Sequence, residues 1–561
     1  MEWMRAIRDT LWGTPMLLLL LACGLCMTLA TRGVQFRRLG AALRLPLSGQ
    51  KNQPDRPEEL TGFQSLTAAL AATVGTGNIA GVTAAVTLGG PGALAWMWAA
   101  AILGMATKYA EVLLAVRTRR KDPSGEWRGG PMYTMARYLG GAGKTLAAAF
   151  CLFGIPAAFG IGSGVQAGTI AETVRAAVRS ISPGFSADGA VGWIVGILCA
   201  GTAAVTLLGG MKRLGKITAR LVPGMAGLYI LACLGVLILR REALFPALKS
   251  VFAGAVRPGA ATGGAVGSIL TAASAGARCG VFSNEAGMGS APMAYAASGG
   301  SPDTQGLYGV FEVFADTLVL CTLTGLSLLV SGVAIPYGVS GTAALNALAL
   351  GRVYGPIPGS LLLALCTCLF ALGTILTWSC YGLRCWEYLF SGRGTGVYRC
   401  LYVLSCVTGA LIKPELSWAF AETANGLMCV PNLAALLALT RKTARISREE
   451  EKISPGAWKG ILPSAIIGIR KQRRDQDAVY RRGSGHQRSE AAAHGGRRDP
   501  GEKREPGVSS AYAPARLERT GSGGLGAGDP AGDPAAAGRA GPGIGSGYRS
   551  RRPDARPGGP G

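Results

Sequence analysis

The recurrence of long apolar blocks restricts this chain more than any other feature. A bilayer core about 30 Å thick takes roughly 20 apolar residues per crossing helix. Blocks of about that length occupy residues 12–30, 62–88, 93–117, 144–170, 188–208, 220–240, 263–297, 308–332, 359–387, 397–413 and 415–440. Peptide groups in lipid find no water, so each block must satisfy its hydrogen bonds within itself, as a helix does. The expectation is an all-α integral membrane bundle of about eleven helices within residues 1–442, with the lipid bilayer as its main partner. From residue 443 to 561 the chain is basic and rich in Gly, Pro and Arg. It carries too little apolar surface there to offset the entropy of ordering, so disorder is expected. Arg5 and Arg8 precede the first block and no cleavage pattern follows it, which reads as a retained helix rather than a removed leader.

The formal net charge of +25 would elsewhere raise nucleic acid as a partner. Here the basic residues of the apolar region sit mainly between blocks, which excludes that reading and gives an orientation instead. Loop 31–61 holds Arg32, Arg37, Arg38, Arg44, Lys51 and Arg56; loop 118–143 holds Arg119, Arg120, Lys121, Arg128 and Arg137; loop 209–219 holds Lys212, Arg213 and Lys216. The loops between these are poorer, apart from Arg241, Lys249 and Arg257 in 241–262. Lys- and Arg-rich loops stay in the cytoplasm, so the N-terminus is expected outside and the C-terminus inside.

Both histidines, His486 and His494, lie in the tail, so histidine chemistry is excluded from the bundle. The cysteines fall mostly inside apolar blocks without metal-ligand spacing. No arrangement typical of a membrane-embedded enzyme is present, and no ring of repeated charges or filter segment suggests a channel.

Two blocks are interrupted at mid-membrane depth. One contains Ala71-Ala-Thr-Val-Gly-Thr-Gly-Asn-Ile-Ala-Gly81, the other Phe282-Ser-Asn-Glu-Ala-Gly-Met-Gly-Ser-Ala-Pro292. Glycine and proline are costly in a helix interior, and irregular backbone at that depth survives only where protein or a cavity covers it. With the first block set aside, the interrupted blocks are the first and sixth of ten. Two five-helix inverted repeats, each opening on a broken helix, would give that placement. Exposed N–H groups at a half-helix start suit a carboxylate, and freed carbonyls suit a cation or an ammonium. A zwitterionic amino acid with sodium fits both ends, and Thr76, Asn78, Ser283 and Asn284 add neutral oxygens. A second reading of Gly75, Gly77 and Gly81, close helix packing alone, stays open. Lys108 and Glu111, spaced i and i+3, are expected to pair. Asp316, Glu387 and Glu422 are gates or buried pairs, and Glu285 is a site residue or a structural one; the sequence does not choose.

These two motifs resemble the sodium:alanine/glycine symporter family. So do Leu88-Gly-Gly-Pro-Gly92, Trp96-Met-Trp98, Gly104-Met-Ala-Thr-Lys-Tyr-Ala-Glu111 and Gly129-Gly-Pro-Met-Tyr133, and the likeness extends over about residues 12–440. The resemblance implies a leucine-transporter-like fold with one extra helix ahead of a ten-helix core, in a bacterial or archaeal inner membrane. It implies sodium-coupled symport of alanine or glycine by alternating access, with a proton-coupled or exchange-type carrier on the same fold as the alternative. It also implies site residues. Gly75, Thr76 and Gly77 would offer backbone to the substrate carboxylate, and Asn284 with the carbonyls near Ser283 would face the amino group. Gly287 belongs to the same substrate motif, and Gln166 stands where the family has a polar pocket residue. A sodium site would use carbonyls of Ala71 and Val74 with the hydroxyls of Thr374 and Thr377.

Overall fold

The computed structural model describes residues 7, 10–47 and 59–453, except 124, 187, 265, 267, 340 and 342. The expectations for Arg5, Arg8, Lys51, Arg56, His486, His494 and the tail from 454 onward lie outside the described residues.

The described chain is almost wholly helical. Helix α1 (Thr14–Ala30) precedes the core and packs on three of its helices. The first core helix is in two pieces, α2 (Gly62–Thr73) and α3 (Ala80–Gly89), and the chain bends by 55° between them. Helix α2 starts with reciprocal capping: Gln64 N–H donates to Thr61 Oγ1 (3.1 Å) and Thr61 N–H to Gln64 Oε1 (3.0 Å), which satisfies two donors that a helix start otherwise leaves open. Next come α4 (Ala93–Thr118), the short α5 (Pro131–Tyr138) and α6 (Gly140–Ile181). Helix α7 (Asp188–Leu239) has 52 residues. At 1.5 Å per residue that is about 78 Å, enough for two crossings. Gly210, at φ +63° with ψ −166°, breaks it between the two expected blocks. A side-chain-bearing residue would be strained there.

The second interrupted helix is α9 (Ile269–Asn284), an irregular stretch, and α10 (Pro292–Ala296). Helices α11 (Pro302–Val330), α13 (Pro356–Phe390), α14 (Thr395–Leu411) and α15 (Pro414–Ala438) complete the core. Two interior segments wind as wide π turns, Ala158–Gly164 in α6 and Phe314–Cys321 in α11. Close helix contact rests on small residues. A Cβ on Gly409 would lie 2.4 Å from Gly164 Cα, so α14 and α6 touch backbone to backbone. Leucines on the outer faces, such as Leu29, Leu208 and Leu231, are exposed to the degree a lipid-facing surface requires.

The structure corrects several loop expectations. The loop expected at 209–219 is helical except at Gly210. The loops after 240 and after 332 contain helices, α8 (Arg241–Val256) and α12 (Ala343–Tyr354). Residues 443–453, expected to lack structure, belong to helix α16 (Thr440–Ile453), which turns away from α15 by 69°. Its buried residues Thr443, Ile446, Ser447 and Glu450 follow a helical spacing that the low overall apolar content of the tail concealed.

Candidate functional site

The first break forms because the winding of α2 fails at Val74. Val74 N–H still closes onto Leu70 O (2.8 Å). Gly75 N–H, which would close the next turn onto Ala71, instead donates to Asn78 Oδ1 (2.9 Å). Thr76 N–H donates to Gln166 Oε1 (3.3 Å), and Gln166 Nε2 donates to Ile161 O (2.9 Å) inside the π turn of α6. Thr76 Oγ1 is buried and has no partner among the described residues. The second break starts where Glu285 takes a left-handed conformation, φ +55°, and ends α9. Asn284 Oδ1 then accepts from Ala286 N–H (2.9 Å).

Asp316, in the π turn of α11, joins the two breaks. It accepts from Asn78 Nδ2 (2.7 Å) on one side and from Ser283 Oγ (2.8 Å) on the other. Thr317 Oγ1 also donates to it (2.9 Å) and accepts from Asn284 Nδ2 (3.0 Å). Hydrogen bonds therefore run without interruption from the backbone of Gly75 to the backbone of Ala286. Every side chain in the path is buried, so the site is occluded in this structure. Asp316 has no cationic partner among the described ion pairs. The structure makes it a member of the site, together with Thr317, a role the sequence reading did not give them. The signal was available, since an acid within a membrane block is a functional residue by default.

Gly75, Thr76, Gly77, Asn78, Gln166, Ser283 and Asn284 therefore come together. A Cβ on Gly77 would lie 3.6 Å from Ser283 Cα, which measures how near the two breaks are. Gly287 stands apart: its φ is +90°, and its carbonyl accepts from Asn432 Nδ2 (2.9 Å) of α15. Of the four residues expected around sodium, Ala71, Thr374 and Thr377 lie at the contact of α2 with α13, Val74 follows the end of α2, and the two hydroxyls meet carbonyls other than the expected ones. Thr374 Oγ1 lies 3.2 Å from Ala72 O, and Thr377 Oγ1 lies 3.3 Å from Ala68 O. A Cβ on Gly373 would lie 3.2 Å from Ala71 O, so this glycine keeps that carbonyl uncovered toward α13.

The glycines of the first break differ in what surrounds them. A Cβ on Gly75 would meet Thr374 Oγ1 at 2.5 Å, whereas one on Gly77 finds only ordinary contacts. Gly75→Ala is expected to cost about 1–3 kcal/mol of stability through overpacking, and Gly77→Ala less than about 1 kcal/mol. Thermal unfolding of both variants in detergent checks the order; equal losses would contradict it.

Two charged networks flank the site. Arg278 of α9 pairs with Glu422 of α15, and the rings of Phe282 and Trp418 stand 5.4 Å apart one turn further along the same two helices. On the other flank a hairpin of β1 (Arg120–Lys121) and β2 (Trp127–Arg128) ties two parts of the bundle. Lys121 and Trp127 bond Glu59, just ahead of α2, at 3.1 and 3.0 Å. Arg128 pairs with Glu387 of α13, and Glu126 with Arg384 (3.2 Å). Glu387 and Glu422 are thus both paired. Lys108 is not paired with Glu111 as the i, i+3 spacing predicts. It pairs across the bundle with Glu312 of α11 (3.2 Å), while Glu111 accepts from Asn432 (2.5 Å). Tertiary packing overrides the local pair here. Glu285 accepts from Trp378 Nε1 of α13 (2.8 Å) and from Ser290.

The family model described as the sodium:alanine symporter family matches residues 1–453. The sodium/alanine symporter AgcS of Methanococcus maripaludis is 43% identical over 440 residues, which cover 77% of this chain and 93% of that protein. The chain belongs to the sodium:alanine symporter family. Another relative, the amino-acid carrier protein AlsT of Bacillus subtilis, is 31% identical over 439 residues, covering 77% of this chain and 89% of that one. Among solved structures, MhsT in complex with L-phenylalanine aligns over 70% of this chain and 99% of its own, with 13% identity and a TM-score of 0.49.

Proposed function

We propose that this chain is a secondary active transporter in a bacterial inner membrane that couples entry of a small neutral amino acid, alanine or glycine, to sodium. The observation that carries the reading is the convergence of both broken helices on one buried site. A substrate carboxylate would take the backbone donor of Gly77 and, displacing the side-chain oxygens of Asn78 and Gln166 that now accept from them, those of Gly75 and Thr76. The orphaned Thr76 hydroxyl fits a polar guest, because a buried hydroxyl without a partner costs free energy until one arrives. The amino group would take Asn284 Oδ1 and freed carbonyls near Ser283. Sodium, as a second cargo, would be held between α2 and α13 by carbonyls of Ala71 and Val74 and hydroxyls of Thr374 and Thr377. Each of these hydroxyls has one proton to donate and keeps lone pairs for a cation.

In this reading the ion and the substrate each favour the occluded arrangement, so each raises the affinity of the other. Release to either side separates the two helix pairs that flank the site: α9 from α15 at Arg278–Glu422, or the start of α2 from α13 at the hairpin. In the same reading the hairpin side and the C-terminus face the cytoplasm, which the Lys- and Arg-rich loops support.

Uptake of labelled alanine and glycine by proteoliposomes, with and without an inward sodium gradient, tests the reading. Accumulation that requires sodium supports it. Uptake indifferent to sodium but driven by a pH gradient transfers the coupling to protons and sinks the sodium assignment. Within this scheme Thr374→Val is expected to raise the sodium concentration for half-maximal uptake about fivefold, the equivalent of one lost polar ligand of about 1 kcal/mol. The alanine KM at saturating sodium should hardly move. An unchanged sodium dependence would remove Thr374 from the ion site.

A further inference from the structure

A cavity of about 400 Å³ opens well away from both breaks, where α4 ends. Arg117 in the last turn of α4, Arg137 and Tyr138 at the end of α5, and Lys442, Arg445 and Glu449 of α16 form its walls. Four cationic side chains thus share the space with one carboxylate. Glu449 is engaged by Arg445, one turn away at 2.8 Å, and that hydrogen bond holds its carboxyl below the usual range. Arg117 reaches Glu450 at 3.1 Å. Arg137 and Lys442 form no ion pair among the described residues, and Lys442 Nζ sits 5.0 Å from the centre of the Tyr138 ring.

Cations gathered in a concavity repel one another unless an anion joins them. The position indicates where such an anion would come from. Helix α4 crosses the bilayer, so its last turn meets the membrane–water boundary. Helix α1, which packs against α16, leaves Leu29 of its final turn 70% exposed, as a lipid-facing residue. The guanidinium fork matches phosphate oxygens, and basic pockets at this depth suit anionic headgroups.

We propose that this cavity binds a phosphate-bearing anion, supplied by the headgroup of an anionic membrane phospholipid. The bound phosphate bridges Arg137 of α5 to Lys442 of α16 and so fastens the C-terminal helix to the bundle.

Native mass spectrometry of the full chain, stripped of lipid in detergent, tests this. The protein is titrated with phosphatidylglycerol and, separately, with phosphatidylcholine. Phosphatidylglycerol should be retained preferentially. Arg137→Glu with Lys442→Glu should weaken it at least about tenfold, and the neutral pair Arg137→Gln with Lys442→Gln should weaken it less, in case reversal disturbs α16. Lys212→Glu with Arg213→Glu, which reverses two exposed charges on α7, should leave it unchanged. Equal binding of the two lipids, or equal losses in both reversed pairs, overturns the proposal. A competition with excess inorganic phosphate separates the sources. Retention of the lipid supports the headgroup, whereas displacement keeps the phosphate site and overturns its assignment to lipid.

Discussion

Lys108→Met is expected to destabilise the folded protein by about 3–5 kcal/mol, because it leaves a buried carboxylate without its counter-charge. Lys108 and Glu312 are both fully buried, with Nζ 3.2 Å from Oε1, and Tyr295 OH donates to the other oxygen at 2.8 Å. The variant should unfold at a lower temperature in detergent or fail to accumulate as a monodisperse species. Adding Glu312→Gln should restore most of the loss: the amide oxygen still accepts from Tyr295, and no unpaired charge remains at that position. A single variant as stable as the parent, or a double variant no better than the single, would contradict the pairing.

Asp316→Asn is expected to lower sodium-driven alanine uptake about 100-fold or more in proteoliposomes while the protein stays folded. The aspartate accepts from Asn78, Ser283 and Thr317 at 2.7–2.9 Å. An asparagine presents one acceptor oxygen and an NH₂ with two donors, so either the Asn78 amide meets another NH₂ or the Ser283 and Thr317 hydroxyls must turn from donating to accepting. Hydrogen bonds to a charged acceptor are worth about 1.5–3 kcal/mol each. Losing the equivalent of two, with the geometry of both breaks dependent on them, gives the stated factor, at about 1.4 kcal/mol per tenfold. Initial rates at fixed protein content, with monodispersity as the control, measure it. Rates within about fivefold of the parent would remove Asp316 from the transport site.

The bilayer makes much of this architecture readable from the chain, because it fixes how long an apolar helix must be. The blocks at 93–117 and 359–387 correspond to α4 and α13 within a few residues. The breaks were legible because glycine, asparagine and proline at that depth are conspicuous. What was not legible depends on winding and on contacts between distant segments. No local pattern announces the π turn of Phe314–Cys321, so Asp316 was visible as an acid but its partners were not. Lys108 has a carboxylate three residues away and takes one from another helix, because packing brings Glu312 nearer than helical spacing brings Glu111. The helices α8, α12 and α16 were missed for a different reason: none is a long apolar block, so bilayer length, the signal that located the others, is silent about them.

The wide turn in α11 has a further consequence. A π turn accommodates an additional residue without lengthening the helix axis in proportion, and each α-helical residue corresponds to about 100° of rotation. Were this segment to rewind as ordinary α-helix while its C-terminal half stayed anchored, Asp316 would swing off the line between Asn78 and Ser283, and the two breaks would lose their common tether. Helical phase, and not only the tilt of whole bundles, is therefore a coordinate along which this protein could engage and release its cargo.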